Sequence, residues 1–280
     1  MLVGCNGNQV SIGGSGFIET DEVTVSAEAA GRITSLFVAE GSTVNLRDTL
    51  AVIDSSRLQI ELASTQASRA TSVANLATAR LQAEKSQSSE KYAISERERL
   101  ARLVRTGSAT QKQMDQADYE ATQATIARQT AEANIKVIEA QILKIDSDID
   151  RIRRSLLDCC LLSPAKGTVT EKFVDAGEVV SVGKAVVRIS RLDTVWVKVY
   201  LPAAQFAQCK IGDKATVASE GQTAKYTGTV IWTSEEAEFT PKNVQTEKSR
   251  SNLVYAVKVS IANNDGHLKI GMPVYVTLEK

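Results

Sequence analysis

Two stretches of this chain, 136 positions apart, follow one pattern. The first carries Gly31, Phe37, Val38, Gly41, Val44, Leu50 and Ile53; the second carries Gly167, Phe173, Val174, Gly177, Val180, Val186 and Ile189. The offset holds without a gap across the whole match. Each copy alternates apolar and polar residues in short runs broken by glycines. That suits short strands whose turns need positive φ. An internal repeat of this kind marks one structural unit used twice, so whatever separates the copies is an insertion into a single module.

The insertion is helical. From Ser55 to Leu157 there is no proline, and Gly107 is the sole glycine. Ala, Gln, Glu, Arg and Leu, all strong helix formers, dominate. Gly107 sits near the midpoint, so the stretch reads as two helices of roughly fifty residues joined by one reversal, each roughly 75 Å long. The second helix carries apolar residues in alternating steps of three and four: Met114, Ala117, Ala121, Ala124, then Ala131, Ile135, Ile138, Ile142, Ile145, Ile149, Ile152 and Leu156, with Arg128 as the one polar member. The first helix shows the same steps at Ile60, Ala63, Ala67, Ala70, Ala74, Ala77 and Leu81. This is coiled-coil spacing. Folded about residue 108, Ile60 faces Leu156, Ala67 faces Ile149, Ala74 faces Ile142 and Leu81 faces Ile135, small against large as interdigitation requires. Beyond Leu81 the first seam fades. It resumes in a new phase at Ala93, Leu100 and Leu103, as a weaker solvated section or as a surface for neighbouring subunits.

Bulk composition excludes several classes. Lys+Arg and Asp+Glu both number 33, which argues against a general nucleic-acid binder. One histidine and four cysteines do not supply a zinc site's closely spaced ligands, and no metal or cofactor is expected. Cys159, Cys160 and Cys209 read as packing residues. His267 lies in the turn-like Asn263-Asn264-Asp265-Gly266-His267, away from any partner base or nucleophile, so no catalytic residue is expected and the chain does not read as an enzyme. No apolar run is long enough to span a membrane as a helix. After the second copy, alternating runs at Leu192–Pro202, Lys214–Ala218, Ala224–Trp232, Leu253–Ile261 and Val274–Leu278 predict further strands.

The glycine-punctuated repeat resembles half of a lipoyl or biotinyl carrier domain. A carrier would present a modified lysine where Ile53-Asp54-Ser55-Ser56 stands, and without one a carrier component is the weaker reading. A lipoyl-like module split by a helical hairpin resembles the membrane fusion proteins, the HlyD-like periplasmic adaptors. The resemblance implies an elongated α+β fold: a lipoyl-like β sandwich split by a long antiparallel coiled-coil hairpin, plus a small β-barrel. In members that dock onto TolC-like ducts, the tip carries an Arg, a Leu four residues on and a Ser seven further. Here Arg99, Leu103 and Thr110 stand at those positions, with Gly107 at the reversal. Ile270-Gly271-Met272-Pro273 is similar to the family's barrel-closing turn. The loop Glu238–Thr246 is similar to the subset that pairs with ABC-type transporters, while an adaptor of an RND-type pump is the alternative. The extra membrane-proximal domain of many drug-efflux adaptors is not expected.

The resulting division is an N-terminal anchor or linker over 1–16, a barrel entry strand over 17–28, lipoyl-like halves over 29–54 and 159–190, a hairpin over 55–158 with its tip near 105–110, and a barrel over 191–280. Leu2-Val3-Gly4-Cys5 resembles a lipobox ahead of a polar, glycine-rich linker, so Cys5 is either a lipidation site whose upstream signal precedes Met1, or a chance match. The implied partners are an inner-membrane ABC-type transporter, an outer-membrane TolC-like duct and further copies of the chain, six by resemblance. The implied location is the periplasm, anchored at the inner membrane through the N-terminus.

Overall fold

The computed structural model describes residues 12–219, 225–239 and 253–279. It forms two compact units. One comprises the chain up to Ile53 together with the chain from Cys160 onward; the other is Asp54–Cys159. The α+β fold expected from the sequence is the fold observed: a β sandwich split by a helical hairpin, and a small barrel.

The stretch 17–28, expected as one barrel entry strand, is divided. β1 (Gly13–Glu19) lies in the barrel, and β2 (Glu22–Ser26) lies in the sandwich. The crossing is pinned where the chain later returns: the Thr20 hydroxyl donates to the Arg191 carbonyl, and the Arg191 N–H to the Asp21 carbonyl (3.1 Å). Beyond that point β2 satisfies its backbone groups on a sandwich strand, with Val23 opposite Ile189 and Val25 opposite Val187.

The sandwich takes β2, β3 (Gly31–Leu36), β4 (Thr43–Val44) and β5 (Thr49–Ile53) from the first copy of the repeat. From the second it takes β6 (Cys160–Leu162), β7 (Gly167–Lys172), β8 (Val179–Val180) and β9 (Ala185–Ser190). One sheet runs β2-β9-β7-β4 and the other β6-β5-β3-β8. Exchanging the two copies turns one order into the other. The repeat therefore also relates β2 to β6, which lies outside the sequence match. Its apolar pairs supply the core: Ile33 with Val169, Leu50 with Val186 and Ile53 with Ile189 are all essentially inaccessible, each such burial contributing about 1.5–3 kcal/mol. One equivalence is broken. Gly183 has φ 84°, and its counterpart Arg47 adopts φ 69° without being glycine, a left-handed conformation that costs a bulky residue roughly 1 kcal/mol.

The barrel closes in the order β10-β1-β15-β11-β12-β14, with β10 also paired to β14 and the short β13 (Glu238–Phe239) added beside β14. The remaining strands are β10 (Thr194–Pro202), β11 (Lys214–Ser219), β12 (Lys225–Thr233), β14 (Leu253–Ala262) and β15 (Pro273–Leu278). Strict alternation along β10 sends Val195, Val197, Val199 and Leu201 inward, as period-two patterning requires.

The hairpin is α1 (Ser56–Arg105) and α2 (Gln111–Asp158). On α2 the expected seam faces inward: Ile149 is buried, and Ile135, Ile142 and Leu156 are half-buried. On α1 the expected seam is on the wrong face. Ile60, Ala67, Ala74 and Leu81 are exposed, Ile60 at 72% and Leu81 at 67%. The inward series is Leu58, Leu62, Thr65, Arg69, Ser72, Leu76, Ala79, Ala83, Ser86, Glu90, Ala93, Arg97, Leu100 and Val104. All are buried or half-buried except Arg69, whose guanidinium reaches across to Asp146. It lies two residues, and so about half a turn, from the expected one. No phase change occurs at Leu81; Ala93 and Leu100 continue a seam present from the start.

The reason is polar. Three charged residues of the inner series meet opposite charges on α2. Arg69 hydrogen-bonds Asp146 and holds its carboxyl below the usual carboxylate range. Glu90 lies 2.6 Å from Arg128, and Arg97 lies 3.9 Å from Asp118. Arg128, the one polar member of the α2 seam, thus has its partner inside the seam and a second in Glu132 (2.6 Å). The phase is testable with two alanines. Ala79→Glu places a carboxylate in the buried seam and should cost about 2 kcal/mol or more. Ala74→Glu, on the outward stripe, should change stability by no more than about 0.5 kcal/mol. Thermal unfolding of the full chain at the helical circular-dichroism band checks both; equal losses would restore the alanine seam.

Candidate functional site

At the hairpin tip, local chain chemistry fixes a rigid turn. α1 ends with Thr106 as its C-cap. The Ser108 N–H donates to the Leu103 carbonyl (2.8 Å) and the Gly107 N–H to the Val104 carbonyl (3.0 Å), the paired bonds of a Schellman ending. Gly107 has φ 72°, a conformation that side-chain-bearing residues resist. The Thr106 hydroxyl adds a further bond to the Leu103 carbonyl (2.9 Å). With the Thr106 N–H (3.2 Å), three donors converge on the Leu103 carbonyl.

α2 starts with a full capping box. The Thr110 hydroxyl oxygen accepts from the Gln113 N–H (3.3 Å), and the Gln113 Oε1 accepts from the Thr110 N–H (2.8 Å). Such reciprocal bonds satisfy two orphan donors of a helix start. Sequence reasoning assigned Thr110 to docking and missed this role, although Thr110-Gln111-Lys112-Gln113 carries the threonine-to-glutamine spacing that signals it.

Arg99 and Leu103 are four residues apart and share a face of α1. Both are exposed, Leu103 at 38%, outside the inward series that Leu100 and Val104 occupy. Arg99 pairs with Glu96 one turn earlier. Arg102 and Arg105 occupy the last turn of α1, where cations suit the helix dipole. From Arg99 to Lys112 the chain carries four cations and no carboxylate. The tip therefore combines an exposed apolar side chain, a positive field and a turn fixed by its own hydrogen bonds.

Other expected positions differ in kind. Cys5 and most of the loop Glu238–Thr246, from 240 onward, lie outside the described residues. Cys159 is buried; Cys160 and Cys209 are half-buried, and burial raises the Cys209 thiol pKa. His267 is exposed in its turn, with Nδ1 3.1 Å from Asp265, which also accepts from the Tyr226 hydroxyl (3.0 Å). An open hollow of about 600 Å³ beside Phe37 contains Asp48 and Cys160. They form no acid–base pair there: Asp48 accepts from the Asn45 N–H (2.6 Å), and the Cys160 Sγ lies 4.0 Å from the Thr49 hydroxyl. Among the described residues no group of three His, Cys, Asp or Glu could hold a metal ion, and no helix is long and apolar enough to cross a membrane.

Comparison with known proteins matches two family models: "RND MFP, barrel-sandwich hybrid domain" over residues 21–190, and "CusB-like, beta-barrel domain" over 194–280. A UPF0194 membrane protein of Yersinia pseudotuberculosis is 28% identical over 294 aligned positions, covering 96% of this chain and 90% of its own. A second, from Acidithiobacillus ferridurans, is 36% identical over 144, covering 51% of this chain and 43% of its own. Among solved structures, MacA from Actinobacillus actinomycetemcomitans superposes with a TM-score of 0.70 at 21% identity, over 96% of this chain and 79% of that one. A MacA–MexA chimera carrying the Pseudomonas aeruginosa MexA α-hairpin gives 0.53 at 20% identity, over 96% and 80%. At these identities the structural likeness establishes the fold.

The cap makes a prediction of its own. Thr110→Ala should destabilise the start of α2 by about 1 kcal/mol, whereas Thr110→Ser should hold to within a few tenths. Amide hydrogen exchange at Gln111–Met114 reads this locally. Unchanged protection in Thr110→Ala would show that the hydroxyl does not cap the helix.

Proposed function

The chain belongs to the membrane fusion protein family, the periplasmic adaptors of efflux systems, and from that premise we propose that it joins an inner-membrane ABC-type transporter to an outer-membrane TolC-like duct through its hairpin tip. The adaptor performs no chemistry. Copies assemble side by side, six to a ring, held at the inner membrane by the N-terminus with Cys5 as the acyl site. Substrate passes along the axis while the adaptor transmits contact.

The observation that carries this reading is the tip. Leu103 is exposed although its backbone is locked, so it enters an apolar notch on a partner at little cost in ordering. Arg99, with Arg102 and Arg105 beside it, faces carboxylates on the duct end, and the ring multiplies each modest contact by the number of subunits. Thr110 contributes through its methyl and its cap rather than through a free hydroxyl.

The transporter class has support on both sides. The loop Glu238–Thr246 favours an ABC-type partner by resemblance. The match of residues 21–190 to the RND MFP barrel-sandwich hybrid family supports an RND-type pump. Affinity capture of the membrane-extracted adaptor, with mass spectrometry of the bound transporter, separates them: an ATPase supports the first, a proton-driven permease the second.

Leu103→Asp should abolish export while leaving folding, the oligomer and transporter capture unchanged. Photocrosslinkers at 99 and 103 should yield an outer-membrane adduct. Adducts confined to the hairpin, or normal export by Leu103→Asp, would remove the tip from docking.

A further inference from the structure

Both tryptophans of the chain, Trp196 and Trp232, lie on one outer face of the barrel. Trp196 is on β10 and Trp232 on β12, with β14 between them. A register shift in β12 between Val230 and Trp232 breaks the inward–outward alternation. As a result Ile231 and Trp232 are both exposed, at 49% and 41%. Bulges of this type re-aim side chains, and here the outcome is two large apolar groups in solvent where regular pairing would hide one.

Charge is placed among them. The Lys258 ammonium on β14 sits 4.0 Å from the Trp196 ring centroid and 5.7 Å from that of Trp232. Such cation–π contacts hold all three side chains in place. Lys198 on β10 is directly opposite Lys258. Like charges opposite one another destabilise a sheet unless something lies between them. Lys198 is partly compensated by Glu238 (3.2 Å). Among the described residues, no carboxylate lies within ion-pair distance of Lys258.

We propose that this face, built from Trp196, Ile231, Trp232, Lys198 and Lys258, docks the barrel on the surface of an anionic lipid bilayer. The two ammonium groups take a lipid phosphate, and the indoles and Ile231 enter the boundary between headgroups and acyl chains. Tryptophan and lysine together are the residues that settle at that boundary, the ring amphipathic and the charged head reaching water. Tether length fits. Cys5, the acyl site of the reading above, is eight residues ahead of Gly13, so at full stretch about 28 Å separates it from β1. β1 pairs with β10, with Trp196 opposite Glu19 at the end of β1 away from the tether, so the anchor enters the same barrel on the strand beside the face. The inference rests on that membrane-held reading for its setting, and its test dispenses with the anchor.

The experiment uses the full chain carrying Cys5→Ser, purified without acyl chains and sedimented with vesicles. Binding to phosphatidylglycerol in phosphatidylcholine is expected, with little to phosphatidylcholine alone and a steep loss on adding salt. Lys258→Glu should lower the apparent affinity roughly fivefold or more. Trp232→Ser should do the same, with Ile231→Ser as the substitute should Trp232→Ser fold poorly. Lys144→Glu, an equal charge change on an exposed face of α2, should leave binding unaltered. The proposal is overturned if the parent chain ignores anionic vesicles, if Lys258→Glu binds as well as the parent, or if Lys144→Glu loses as much as Lys258→Glu. It is also overturned if these variants lose a transporter while vesicle binding stays constant, which would make the face a protein contact. None of these outcomes depends on export, so failure here and failure of tip docking are read separately.

Discussion

Four of the six strand pairings in the sandwich join one copy of the repeat to the other: β2 to β9, β3 to β8, β4 to β7 and β5 to β6. Neither half can satisfy its backbone groups alone, and unpaired N–H and C=O groups in a buried sheet are costly. The chain leaves at Ile53 and must come back at Cys160, with Cys160 opposite Val52. About a hundred residues of helix intervene. A hairpin that slipped by one heptad would still be helical, but it would return the chain some 10 Å out of place. The seam between α1 and α2 therefore sets the conditions under which the sandwich can close.

That requirement gives the polar residues of the seam a purpose. An apolar heptad stripe specifies that two helices pack, and specifies their register poorly, because one leucine or alanine layer resembles the next. Charged residues at seam positions restrict register at some cost in stability. Glu90 opposite Arg128, Arg69 opposite Asp146 and Arg97 opposite Asp118 are spaced along the hairpin so that a heptad shift in either direction would part all three at once. The same arrangement fixes which side of α1 faces out. With Leu100 and Val104 turned inward, Leu103 is left exposed at the tip.

The repeat, the hairpin and the barrel strands were legible in the sequence because each rests on a pattern of constant period. The α1 seam was misread for a physical reason. Ile60, Ala67, Ala74 and Leu81 form a cleaner apolar stripe than Leu62, Arg69, Leu76 and Ala83, and a search for apolar periodicity takes the cleaner one. The deciding information lay in α2, where Arg128 called for a carboxylate at a facing position and Glu90 supplied it. The division of 17–28 between barrel and sandwich was hidden because both strands alternate with period two and only a partner strand distinguishes them. At the tip, Arg99, Leu103 and Thr110 were named from a resemblance, whereas Gly107 stood out as the sole glycine of the helical stretch. The cap at Thr110 was written in Thr110 and Gln113 and was overlooked. The outward Trp232 follows from a bulge, which leaves little trace in a single sequence.

The measurement closest to the centre of this account is a double-mutant cycle on the seam, with Glu90→Gln, Arg128→Gln and the pair, read by equilibrium unfolding of the full chain. If the two side chains meet inside the seam, each single change destabilises and the pair costs less than their sum, with a coupling of about 1–3 kcal/mol. Additive losses with no coupling would mean that Glu90 and Arg128 do not face each other, and that the phase of α1 described here is wrong.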